Sequence, residues 1–505
     1  MPDSPHKKNN LGQSPTDANK STTTGDEGSK KEHIETSIVS QRELSRELGF
    51  KEAISIGLGG TIGGGLFSVL GIVAGIAGPA ALVSFGLGGV IGLLIGYSYA
   101  KLALRYPSAG GSYTFCKAAF GRRIGAFFGW LLWVAYLASC SLYAYTFGVY
   151  FADMVVPNAA APWVFKLIHL LFSVILIILS TIINLVGVKE TGKSQNIIVL
   201  VKVIILLIFI GITIPAAIKN VGENFTPFFP DEEGNANNIF LGLSLAVVGT
   251  TILFVAFEGV ELIPNATEEI IDPEKNIPRS IFATIIISTV IYLLVVFTAL
   301  AGTNYTAFEG TNAETALAQV AENAIGIAGS IIIAIGALFS TASAFNASLY
   351  GSSRLGYVMA REKIFPGVFK KVSDKNHVPY VSILIISTIT ALMTLTLNLK
   401  QIAELASTIF LLLFASVSLS SLLLRKKTKA NFIIPFLGFL FSSLCFFLFL
   451  WYLINGIRLE VLAGTPLTET EGFVSILVLP IVLLVVGIGS YLTTHYYDKK
   501  KAKKQ

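Results

Sequence analysis

Cysteine is scarce, with residues at 116, 140 and 445 only in a chain of 505. That spacing excludes a disulfide framework and leaves the redox compartment unread. Histidine is also sparse, at 6, 33, 169, 377 and 495, and no Cys/His spacing suits a metal, so neither a metal nor a cofactor is expected. Charged residues make up 13% of the chain, where a soluble globular chain carries roughly 25%. With 53% hydrophobic residues and a mean hydropathy of +0.70, a soluble enzyme of 54.2 kDa is excluded. No paired catalytic carboxylates, nucleophile motif or phosphate-binding loop stands outside the apolar pattern. The net charge of +6 does not point to nucleic acid, because Lys and Arg lie between apolar stretches and form no basic face.

What the chain has instead is length of apolar sequence. Twelve runs, near 53–78, 80–104, 124–152, 162–186, 194–217, 239–267, 280–302, 324–353, 380–398, 402–424, 431–453 and 473–496, approach or exceed the roughly 20 residues that cross a bilayer core. The predicted class is therefore an all-α polytopic membrane protein with lipid as its solvent, and no second, soluble domain fits. Residues 1–40, rich in Ser, Thr, Asn and Lys, read as a disordered tail without a secretory signal. Residues 41–52 place Leu44, Leu48 and Phe50 among charges and suit a short helix at the membrane surface.

Orientation follows from the basic residues of the connections. With residues 1–52 cytosolic, the inner connections hold nineteen Lys and Arg, among them Lys101, Lys117, Arg122, Arg354 and Arg425. The outer ones hold four, Lys166, Lys219, Lys400 and Arg458. A miscounted span would scramble this asymmetry, so both termini are expected in the cytoplasm, with a basic C-terminus at 497–505.

Two spans are interrupted. The first carries Gly57, Gly59, Gly60, Gly63, Gly64 and Gly65 within GLGGTIGGGLF. Each glycine costs a helix about 1 kcal/mol relative to alanine, so the run reads either as an unwound segment or as a surface for close helix packing. The sixth, FVAFEGVELIPNATEE, has Gly259 and Pro264 breaking the pattern and Glu258 and Glu261 inside it. Interrupted spans five apart fit an inverted-repeat transporter whose broken helices meet at mid-membrane. Such breaks expose N–H groups that attract a carboxylate and C=O groups that accept from an ammonium, which suits a zwitterionic amino acid.

Five motifs occur in order: TIGGGLF at 61–67, YPSAGGSYTFCKAAFG at 106–121, NIIVLVK at 196–202, FVAFEGVELIPNATEEIIDPEKNIPRSI at 254–281, and LYGSSRLGYVMAREKIFPGVFKKV with HVPY across 349–380. With them the chain resembles the amino acid–polyamine–organocation superfamily of permeases from about residue 45 to about 400. The resemblance implies a five-plus-five inverted repeat within a core at 41–424 and two peripheral spans at 425–496. It implies a secondary active amino acid transporter of the cell membrane, proton-coupled and sodium-independent, working by alternating access. The alternatives are an amino acid or polyamine exchanger and a non-transporting sensor. By the same resemblance, backbone amides at Gly63, Gly64 and Gly65 receive the substrate carboxylate, and carbonyls at Thr61, Val255, Ala256 and Glu258 meet its amino group. By the resemblance, Val255 stands where many relatives place an aromatic lid, so either Phe254 or Phe257 takes that role or occlusion works differently here. The loop between spans 3 and 4 has no cysteine, so no disulfide-linked accessory subunit is expected.

Two charges inside the apolar pattern carry the sharpest expectations. The Glu258 side chain reads as a selector for cationic substrates, a proton-titrating group or a partner of the broken backbone, and Glu261 as structural. Lys202 lies about 14 Å into span 5, further than a lysine comfortably snorkels. The resemblance implies that its ammonium takes the place sodium holds in sodium-coupled cousins, coupling transport to protons or acting as a fixed cation. His169 reads as a packed polar residue rather than a proton relay, and of Trp130, Trp133, Tyr136, Tyr143 and Tyr145 one or two could line the pocket while most read as packing or interfacial belt.

Overall fold

The structure is a computed structural model that describes residues 48–108, 110–157, 161–187, 192–229, 239–308, 310–376, 378–462 and 473–502. The tail at 1–40 and most of the surface helix expected at 41–52 lie outside the described residues. Among those described, no strand forms, and nine helical stretches are long and apolar enough to cross a membrane. The first of these, Phe50–Arg105, contains both the first and second predicted runs. Two shorter apolar helices, Tyr380–Thr396 and Pro480–His495, coincide with the ninth and twelfth.

In chain order the helices are α1 (Phe50–Thr61), α2 (Gly64–Ala77), α3 (Ala81–Arg105), α4 (Gly111–Phe120), α5 (Arg122–Val155), α6 (Pro162–Val186), α7 (Gly192–Asn224) and α8 (Ile239–Leu253). There follow α9 (Gly259–Asn265), α10 (Pro273–Gly302), α11 (Ala316–Ile325), α12 (Ile327–Arg361), α13 (Tyr380–Thr396), α14 (Leu399–Leu423), α15 (Ile433–Leu462) and α16 (Phe473–Ala502). A protein dissolved in lipid satisfies its backbone within helices and turns its apolar side chains outward. The α6 helix shows this inversion. Its buried face is His169, Ser173, Leu176, Ile177, Ser180 and Asn184, while Leu167, Leu171, Ile178 and Ile182 are exposed. The polar stripe meets α5, where a Cβ on Gly148 would lie 2.1 Å from the Ser173 hydroxyl, and α12, where Asn184 donates to Asn346 at 2.6 Å.

The interrupted spans lie side by side and antiparallel, α1 packing on α9 and α2 on α8. Around them α5 packs most extensively on α12, and α10 on α3 and α7. The end of the bundle bearing Lys117, Arg122 and Arg354, here the basic end, is laced by several contacts between elements. Glu362 accepts from Tyr113 and Lys117, and Arg354 reaches Glu269 at 3.2 Å. Ahead of α1, the Leu48 N–H donates to the Glu269 carbonyl at 3.0 Å, and the Ile271 N–H donates to the Leu48 carbonyl at 2.9 Å. These bonds strap the lead-in of the first span to the exit of the sixth.

Candidate functional site

The glycine run divides its labour. The helix continues through Gly57, Gly59 and Gly60 to Thr61, and only Ile62 (φ −77°, ψ 48°) and Gly63 (φ −96°, ψ −146°) leave it. The wholly unwound segment considered from sequence is thus confined to two residues, and the earlier glycines serve close approach. A Cβ on Gly60 would lie 2.6 Å from the Gly259 Cα, and one on Gly259 would lie 2.3 Å from the Gly57 carbonyl. The sixth span breaks more gently. Phe254–Phe257 tighten into a 3₁₀ turn, closed where the Glu258 N–H donates to the Val255 carbonyl at 3.2 Å.

At the first break a new helix starts at Gly64 with no side chain capping it. The first-turn N–H groups of such a start have no intrahelical partner and, with the helix dipole, attract an anion. Gly65 faces the other break directly, since its Cβ would lie 2.5 Å from the Ala256 Cα. A Cβ on Gly64 would lie 2.3 Å from the Tyr143 ring, and one on Gly63 would lie 2.6 Å from the Ala344 Cβ. Tyr143 is one of the span-3 aromatics of which the sequence allowed one or two to line the pocket, without singling it out. The aromatic over the first break comes from α5, whereas the Phe257 ring packs against Gly88, Gly92 and Tyr292, and Phe254 against Phe414.

Two hydroxyls that sequence reasoning did not nominate hold the breaks together. Tyr292, on α10, has its hydroxyl within reach of the carbonyls of both Thr61 and Ala256, which share its one proton. Ser407, on α14, accepts from the Val255 N–H at 3.2 Å and donates to the Ile252 carbonyl at 2.6 Å, spanning the sixth-span turn. The Glu258 carbonyl accepts from the Glu261 N–H at 2.9 Å. The Val255 and Glu258 carbonyls therefore each have a backbone donor here, the Thr61 and Ala256 carbonyls share the Tyr292 proton, and each retains a second lone pair.

The buried charges are also partnered. Glu258 is fully buried and accepts from Tyr143 at 2.7 Å and Ser348 at 2.8 Å, joining the sixth span to α5 and α12. Lys202, 1% exposed, donates to the Gly59 carbonyl at 3.0 Å, three residues before Ile62. Glu261 accepts from the Tyr99 hydroxyl at 2.7 Å and the Ser112 N–H at 3.1 Å, so it fastens the start of α4 to the sixth span. Gly111 sits in this knot at φ +46°, and a Cβ there would lie 2.2 Å from Asn265 Oδ1. Gly111→Ala is expected to lose about 1–3 kcal/mol of stability, read as a lower thermal midpoint of the detergent-solubilised protein.

No described group of His, Cys, Asp and Glu could hold a metal. A chamber of about 860 Å³ opens at the end opposite the basic one. It is lined by Gly71 and Ile72 of α2, by Tyr145, Lys166 and His169, and by Glu314 and Lys400. Tyr145 donates to Glu314 at 3.1 Å. Burial pushes the Glu314 carboxyl up to about 7 despite that bond.

The amino acid permease family profile matches residues 52–504. A branched-chain amino acid permease of Bacillus subtilis is 28% identical over 398 residues, covering 77% of this chain and 82% of the relative. A methylthioribose transporter of the same organism is 30% identical over 413 residues, covering 78% and 85%. A low-affinity putrescine importer of Escherichia coli is 28% identical over 396 residues, covering 77% and 83%.

Proposed function

Because the chain belongs to the amino acid permease family, we propose that it is a secondary active amino acid transporter of the cell membrane. In this reading twelve spans form a five-plus-five inverted repeat with two peripheral helices, and both termini are cytoplasmic. The observation that carries the reading is the uncapped helix start at Gly64, set against the main chain of the second break. The relatives are named for substrates as different as branched-chain amino acids, methylthioribose and putrescine, so the preference for a zwitterion rests on this chain's own two breaks. The Gly63–Gly65 amides would take the carboxylate, and carbonyls at Thr61, Val255, Ala256 and Glu258 would take the amino group as Tyr292 yields.

Alternating access then rocks spans 1, 2, 6 and 7 against spans 3, 4, 8 and 9. The ties at the basic end and the chamber at the other suit a state closed toward the cytoplasm. Coupling to protons would run through Lys202, whose ammonium touches the carbonyl side of the first break. Phe257 shapes the site from behind the second break, as part of its wall.

Reconstituted in liposomes, the protein is expected to accumulate labelled amino acid from a panel of neutral, cationic and acidic ones when the outside is made acidic. Failure with the whole panel would overturn the reading, and uptake that requires preloaded substrate would make it an exchanger. Glu258 bridges the moving and framework spans through two hydroxyls, so Glu258→Gln is expected to slow uptake of every accepted amino acid alike. The loss should be roughly ten- to a hundredfold, since hydrogen bonds to a charged group contribute about 1.5–3 kcal/mol. Loss of cationic substrates alone would instead make Glu258 a selector.

A further inference from the structure

We infer that a recess between α5 and α16 at the basic end holds the headgroup of an anionic phospholipid, which fastens the last span to the core. The recess measures about 250 Å³, below the range of enclosed small-molecule sites, so it suits a ligand gripped at one end with its bulk outside. Arg123, Ile124 and Phe127 line it from the start of α5, and Gly487, Ser490 and Tyr491 line it from α16.

The charge in the recess is uncompensated. Arg123 is exposed and pairs with no carboxylate among the described residues, and the first turn of α5 contains no acidic residue. Its neighbour Arg122 turns instead to the carbonyls of Glu362 and Lys363, at 3.4 Å each, so the two arginines divide between the core and the recess. A guanidinium presents a planar fork of donors that matches a phosphate. Ser490 and Tyr491 bring hydroxyl-bearing side chains to the same space, and a phosphodiester oxygen accepts from either. Just past the recess, residues 497–505 carry five lysines against one aspartate. A basic recess between spans, flanked by further cations, is the pattern that recognises anionic lipid headgroups.

The remainder of the recess selects a lipid over a free anion. Inorganic phosphate gains nothing from the Ile124 and Phe127 side chains, whereas an acyl chain does. Between them and α16 lies open space, since a Cβ on Gly487 would meet nothing within 4 Å. From that gap Leu484 and Ile488, 63% and 49% exposed, carry the same apolar face of α16 away from the basic end, along the course an acyl chain takes. Because α16 packs chiefly on α5, a lipid reaching Arg123 on one helix and Tyr491 on the other closes a gap in its main contact.

The test is native mass spectrometry of the full chain, released from detergent after incubation with dioleoyl phosphatidylglycerol or with dioleoyl phosphatidylcholine. One phosphatidylglycerol per chain is expected to be retained, about fivefold more than phosphatidylcholine, and to raise the thermal midpoint of the wild type. Arg123→Gln should lower its retention about fivefold. Gly487→Leu, which fills the gap and leaves the charge in place, should lower it by a similar factor, and it decides alone should the arginine variant fail to fold. Equal retention of the two lipids, retention unchanged by Gly487→Leu, or displacement of phosphatidylglycerol by inorganic phosphate would overturn the proposal. Neither substitution touches the two breaks, so the uptake assays test the permease reading separately.

Discussion

Lys202→Ala is expected to abolish the response of uptake to an imposed pH gradient and to slow uptake roughly tenfold or more. The ammonium is buried, and it donates at 3.0 Å to the Gly59 carbonyl, at the end of α1 where the helix is about to break. A hydrogen bond to a charged group contributes about 1.5–3 kcal/mol, and losing it leaves that carbonyl short of a donor in a water-poor setting. Lys202→Met, which keeps the apolar stem and removes only the charge, separates lost packing from lost charge. Uptake by the methionine variant that still rises as the outside is acidified would remove Lys202 from the coupling mechanism.

Gly65→Ala should be as damaging for a steric reason. The added methyl would lie 2.5 Å from the Ala256 Cα and 2.7 Å from its Cβ, so one break must move off the other. Overpacking of this kind costs about 1–3 kcal/mol, and here it falls on the surfaces that would grip the substrate. Uptake is expected to fall below detection while the purified protein stays monodisperse on size exclusion. By contrast, Gly211→Ala, at a position where a Cβ meets nothing within 4 Å, should transport as the wild type does. Equal uptake by Gly65→Ala and the wild type would mean that the breaks do not close on each other during transport.

The apolar runs that the nine long helical stretches cover were readable because a membrane crossing is a length of apolar sequence, and length survives without tertiary information. The run expected at 162–186 coincides with α6, Pro162–Val186. The interruption at Gly63 was readable too, although sequence left open whether the glycines mark unwinding or contact. The structure uses Gly57 and Gly60 for contact and Ile62–Gly63 for the break. The partners that hold the breaks were not readable. Tyr292 and Ser407 lie 231 and 152 residues from the groups they bond, and a lone hydroxyl in an apolar helix has no spacing to betray it. The chamber was illegible for the same reason, because α2, α5, α6, α14 and the segment before α11 each give it a residue or two.

The pairing of Leu48 with Glu269 and Ile271 has a mechanical meaning. Two main-chain bonds yoke the stem of the first span to the exit of the sixth, so displacing one of these half-helices without the other would break both bonds. A pull on the chain ahead of Leu48 is therefore felt by both half-helices at the basic end.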